Sequence, residues 1–119
     1  MASLFAATND PQRFLVHDIA FHRSVAAASG NPIVAAVVEM VSALYYKRRR
    51  TTAGQASNRD RRDAAEAHRA IYDAIRVRDS DAARRAMNEH LVNAKMHLAR
   101  ERGKEKTRRT VRARRTRGR

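Results

Sequence analysis

DPQRFLVHDIAFHRSVAAASGNP, residues 10–32, contains one whole helix with its start and stop, and then the start of the next. Asp10 offers a side-chain acceptor to the first free backbone N–H groups, and Pro11 sits where a helix needs no donor. Phe14, Asp18, Phe21, His22 and Val25 then recur at three- and four-residue spacing, which lays them along one face. Gly30 supplies the residue on which helices commonly end. Asn31-Pro32 repeats the cap-plus-proline signal.

Working outward, Ile33, Val34, Val37, Val38, Val41, Leu44 and Tyr45 predict a second helix with a wide apolar face. Lys47-Arg48-Arg49-Arg50 ends it with cations at the negative end of the helix dipole. Thr51 to Asn58 is polar, holds Gly54 and reads as the longest loop. A third helix is expected over roughly Arg59 to Arg78, with Ala64, Ala67, His68, Ile71, Ala74 and Ile75 along one side. Asp79-Ser80-Asp81 breaks it, and Ser80 can cap a fourth helix carrying Ala83, Met87, His90, Leu91, Ala94 and Leu98. Short connections favour antiparallel neighbours, so the expected fold is an all-α antiparallel bundle. Four glycines, two prolines and 5% aromatic residues agree with helices rather than sheet.

The 119 residues fit one small domain. Their net charge of +14 is unevenly placed: residues 100–119 hold 11 basic and two acidic residues, leaving +5 for the rest. The chain therefore divides into a mildly basic body, 1–99, and a cationic tail, 100–119, whose lack of apolar residues predicts disorder or a frayed helical extension. With no cysteine, disulfides, thiolate metal sites and cysteine nucleophiles are excluded. No apolar run reaches the roughly 20 residues needed to span a bilayer, and Met1 to Asp10 has no leader-like pattern. The expected setting is cytoplasmic, with no membrane partner.

Asp18 and His22, four apart, share a helix face among Phe14, Phe21 and Val25. His68 and His90 lie in the apolar stripes of two further helices. Burying such groups unpaired costs roughly 2–7 kcal/mol for a neutral one and more for a charge. Any one of them can be a hydrogen-bonded core residue, but one divalent cation would satisfy all four. Imidazole nitrogens with a carboxylate suit Zn, Ni, Mn or Fe. His17 falls about 100° around the helix from Asp18, and His97 about 10 Å along the helix from His90, so neither is expected to share the ion.

Asp18-Ile19-Ala20-Phe21-His22 followed by Ala28-Ser29-Gly30-Asn31-Pro32 resembles the D-x-x-F-H and G-N-P signature of the FCD domain. That domain is the effector-binding half of FadR-subfamily GntR transcription regulators. Glu66-Ala67-His68 with Ile71 and Ala74-Ile75 is similar to its central segment, and Ala83 to Met87 with His90-Leu91 to its last one. The resemblance runs from about Leu4 to Leu98. It implies an antiparallel helical bundle and a regulator domain rather than an enzyme. It also implies a divalent metal, zinc in the first place, on Asp18, His22, His68 and His90, with a small carboxylic acid bound beside it. Arg48, Arg49 and Arg50 are candidates to hold that effector's second carboxylate, or else a solvated helix end.

The family carries a winged helix-turn-helix and further helices upstream of the matching segment, and nothing precedes Met1 here. The chain thus resembles an N-terminally incomplete effector domain. Val34, Val38 and Val41 would then be left for a second chain to cover, predicting a homodimer. The tail, through Arg108, Arg109, Arg112, Arg114 and Arg115, is a candidate for weak, sequence-blind contact with nucleic acid. That gives an alternative function for the chain. A small metal-dependent hydrolase is the other, with Glu66 and Glu89 as the only acids near enough to act as a base.

Overall fold

The computed structural model describes residues 1–117, and among them every regular element is helical. The elements are α1 (Ala2–Ala6), α2 (Pro11–Ala28), α3 (Pro32–Arg49), a 3₁₀ turn (Ala53–Gln55), α4 (Asn58–Arg76) and α5 (Ser80–Arg117). The caps of α2 and α3 are those the sequence predicts. Asp10 Oδ1 accepts from Gln12 and Arg13 N–H, and Asn31 Oδ1 from Ile33 and Val34 N–H. Gly30 stands at φ +69, the left-handed conformation that only glycine takes at no cost. Helix α4 opens with a reciprocal capping box between Ser57 and Asp60.

One local expectation, the Ser80 cap, needs correction, and two further features add to the sequence reading. The short α1 carries no side-chain cap and too few residues for a periodic signal, yet Leu4 and Ala7 are core residues against Phe14 and Ala65. Ser80 does not cap α5: Asp79 does, its Oδ1 accepting from Ala82 N–H one position earlier. The disorder predicted for residues 100–119 gives way, through Arg117, to the other expectation, a helical extension. Helix α5 crosses residue 100 without a break, sustained by the helix propensity of arginine, lysine and alanine and by pairs such as Arg109–Glu105. Residues 118–119 of that tail lie outside the described residues.

Helix α4 packs against α5 and α2 against α3, while α1 and the 3₁₀ turn close the α2 end. The face of α3 that packs inward is not its most apolar one. Ala35, Val38, Tyr45 and Arg49 are half-buried and Ser42 buried, whereas Ile33, Val37, Met40 and Leu44 face outward. Near α1 the bundle is pinned by Arg61, 6% exposed, which donates to the Thr8 carbonyl at 2.6 Å, to the Ala56 carbonyl and to Asn58. The apolar core at that end is small, built on Leu4, Ala7, Phe14 and Ala65. Farther along, the space between α2, α4 and α5 is filled by polar side chains.

Candidate metal centre

Four side chains from three helices meet in that space. Asp18 and His22 come from successive turns of α2, His68 from α4 and His90 from α5. His68 and Ile71, one turn apart, are the two largest wholly buried side chains. The three imidazoles point the same ring atom inward. His68 Nε2 lies 3.0 Å from His90 Nε2 and 3.3 Å from His22 Nε2, and the last two are 3.3 Å apart. Asp18 Oδ1 is 3.1 Å from His68 Nε2 and 3.5 Å from His22 Nε2.

These separations decide what the cluster can do. Three mutually adjacent ring nitrogens carry either a proton or a lone pair each, so at least one pair must be donor against donor or acceptor against acceptor. No choice of tautomers satisfies all three contacts. A cation at the centre meets the need of all of them at once. Ligands held about 2.0–2.1 Å from a zinc ion stand about 3.0–3.4 Å from one another, the spacing seen here. The four donor atoms all lie within 4.8 Å of each other, and the set fits a divalent metal.

The electrostatics agree. Burial works to raise the pKa of Asp18, but hydrogen bonds and charge from His22 and His68 outweigh it and hold the carboxyl well below its ordinary range. His90 is pushed down to about 4, first by burial and then by repulsion from His68 and His22. Both groups are thereby kept in the deprotonated forms that bind metals. Phe21 stacks on the His68 ring with centroids 4.3 Å apart. It orients that ring where a ligating histidine ordinarily has a hydrogen bond, since His68 Nδ1 has no partner among the described residues.

The other sequence candidates fall elsewhere. His97 lies outside the cluster, its Nδ1 3.2 Å from Asp60 Oδ1, and half-buried His17 is also outside it. Glu66 and Glu89 are exposed. Arg48 and Arg50 are exposed as well, and the Arg50 carbonyl accepts from Gln12. Arg49 turns inward, its guanidinium forked onto Glu101 at 2.6 and 3.4 Å and bonded to Thr52. The tail arginines 108, 109, 112, 114 and 115 are exposed along α5, away from the four ligands.

Two features went unread in the sequence. Tyr45, counted there with the apolar face, is half-buried, and its pKa is raised by burial and by the charge of Asp18, while Arg49 works to lower it. An open cavity of about 480 Å³ is lined by Val25, Ile71, Ile75 and Met87 and by the charged Arg78, Asp79 and Arg84, the last of which pairs with Asp81 at 2.7 Å. Val25, Ile71 and Met87 are each three residues from a ligand (His22, His68 and His90), so the cavity begins about one helical turn, roughly 5 Å, from the cluster.

The described residues thus form an all-helical bundle that turns one Asp and three His inward, and comparison with known proteins supplies the class to which that bundle belongs. Residues 2–93 match the FCD domain, and the chain belongs to that family. It is 35% identical over 100 residues to the HTH-type transcriptional repressor NanR of Citrobacter rodentium, covering 82% of this chain and 38% of that protein. NanR of Escherichia coli (strain K12) and of Shigella flexneri are each 37% identical over 86 residues, 71% of this chain and 33% of theirs. The chain thus spans roughly a third of the length of these relatives. These relatives are named as transcriptional repressors, and the family match points to a regulator domain. No solved structure matches the chain significantly. Among the described residues, no helix is long and apolar enough to cross a membrane.

Proposed function

We propose that this chain is the effector-sensing part of a GntR-type regulator of the FadR subfamily, working in the cytoplasm. Asp18, His22, His68 and His90 hold one divalent metal, zinc before Ni, Mn or Fe. The observation that carries the reading is the convergence of three Nε2 atoms, those of buried His68 and His90 and half-buried His22, that no arrangement of protons can reconcile. The metal would supply a Lewis-acidic position for a carboxylate; the chain's residues supply the rest of the recognition. Four protein ligands leave room at a six-coordinate ion for a small carboxylic acid. Its body lies in the cavity over Val25, Ile71 and Met87, and a second anionic group meets Arg78 or Arg84.

A second approach, from the Asp18 end, is supported by Arg49. It alone of the three arginines at 48–50 is half-buried, the other two being exposed, and an incoming carboxylate could take the place of Glu101 on its guanidinium. The wider regulator reading also includes a homodimer through the outward face of α3, where Ile33 is 74% exposed and Leu44 57%. Antiparallel pairing of two α3 helices would keep their Lys47–Arg50 ends apart.

Titration calorimetry tests the sensing claim. Metal is titrated into metal-stripped protein, and then small mono- and dicarboxylic acids into each form. Acid binding only to the metal-loaded form is expected. Acid binding of equal strength to both forms would overturn the metal's place in the site.

A further inference from the structure

The last part of α5 has no role in that reading, and its geometry is specific. From Arg102 to Arg117 the helix carries nine basic residues and one acidic one, Glu105, and all nine cations are exposed. One of them, Arg109, pairs with Glu105 at 3.2 Å. At 100° per residue the nine spread around the whole circumference. The only large apolar side chain in the segment is Val111. The segment extends about 24 Å, at 1.5 Å per residue. Its root is fixed to the body by the ion pair of Arg49 with Glu101, both 13% exposed.

We propose that this segment is a DNA-binding arm that lies in the major groove of duplex DNA and contacts phosphates on both sides without reading sequence. Charge complementarity singles out the partner. An anionic membrane surface is bound by helices with one apolar face, and this one has cations all round. Single strands are held by aromatic stacking, and the segment has no aromatic residue. Seven of the nine cations are arginine, which grips phosphate through two parallel N–H groups. A helix about 10–12 Å across fits the roughly 12 Å major groove of B-DNA, with phosphates on either flank. The major groove of duplex RNA is too narrow to admit it.

Fluorescence anisotropy of a labelled 20-base-pair duplex, titrated with the full chain from 50 to 200 mM salt, tests this. Affinity should fall on the order of 10³-fold across that range. Replacing Arg108, Arg109, Arg112, Arg114 and Arg115 together with Gln should lower the slope of log affinity against log salt by about four. Replacing the same five with Lys should keep the slope, and this second variant preserves charge and helix if the Gln variant loses its fold. The proposal is overturned by a Gln variant with the parent's slope. It is equally overturned if the parent binds duplex RNA, single strands or anionic vesicles as tightly as duplex DNA.

Discussion

His68 on α4 and His90 on α5 bring their Nε2 atoms within 3.0 Å of each other, both rings buried, where two packed helices ordinarily place apolar side chains. One of the two can donate to the other, but with His22 standing 3.3 Å from both, at least one of the three contacts is left mismatched. Without a cation this is a weak point of the bundle, because an imperfectly paired buried polar group costs about 1–3 kcal/mol. With one, the cluster would tie α2, α4 and α5 together.

Acid should unfold the metal-free protein in two stages. His90 titrates near 4 when folded against 6.5 unfolded. The unfolded chain therefore binds more protons between those values, and the stability His90 contributes is complete above 6.5 and lost as pH falls toward 4. The lowered pKa of Asp18 acts separately: its contribution is present above 3.8 and disappears below it. Melting temperature measured from pH 8 to 3 should decline through the first window and more steeply under pH 3.8. A flat profile down to pH 4.5 contradicts the burial of His90.

Arg61→Ala should destabilise the fold by about 2–4 kcal/mol, because the Thr8 and Ala56 carbonyls lose a charged donor at once. The loss falls on the packing of α1 and on the start of α4, not on the ligands. Thermal melts should drop by about 10 °C or more, while the number of metal ions bound stays the same. A variant as stable as the parent would show that the guanidinium does not clamp these segments.

The two approaches to the metal separate by mutation. Arg78→Ala with Arg84→Ala should weaken binding of a dicarboxylic acid about 10- to 100-fold, the worth of one charge-assisted hydrogen bond or more. If the acid enters from the Asp18 side instead, Glu101→Gln should tighten it by releasing Arg49. Arg48→Ala, on an exposed side chain, should change it less than twofold. Calorimetry on metal-loaded variants reads all three.

Met40→Glu with Leu44→Glu should turn a dimer into a monomer, since both side chains are more than half exposed on the outward face of α3. Light scattering with the parent as reference reads the change. A monomeric parent at micromolar concentration would remove α3 from the account of the dimer.

Much of this molecule was legible in its sequence, and the unread parts have physical causes. The capped starts of α2 and α3 follow from Asp10-Pro11 and Asn31-Pro32, and the meeting of Asp18, His22, His68 and His90 follows from a carboxylate and three imidazoles set among apolar residues at helical spacing, together with the family resemblance. Helix α1 escaped because five residues without a cap give no period. The inward face of α3 was not legible, because hydrophobicity points to Ile33, Val37 and Leu44, while Ser42 is buried and Arg49 turns in on its ion pair with Glu101. The roles of Arg61 and Glu101 went unread, since their partners are 53 and 52 residues away in the chain and only the fold brings them together. The helical state of the tail turned on backbone propensity, which composition-based disorder does not weigh.

The central claim is that Asp18, His22, His68 and His90 hold one metal ion. The most direct test is elemental analysis of protein purified without a histidine tag, together with thermal melts of the parent and of His68→Ala/His90→Ala. About one equivalent of a divalent metal is expected in the parent. Re-addition after chelation should raise the melting temperature by about 10 °C, for an ion present at some 100 times its dissociation constant. The double variant should bind none and gain nothing from added metal. A parent that binds no divalent metal, or a double variant that binds it as well as the parent, would contradict the account.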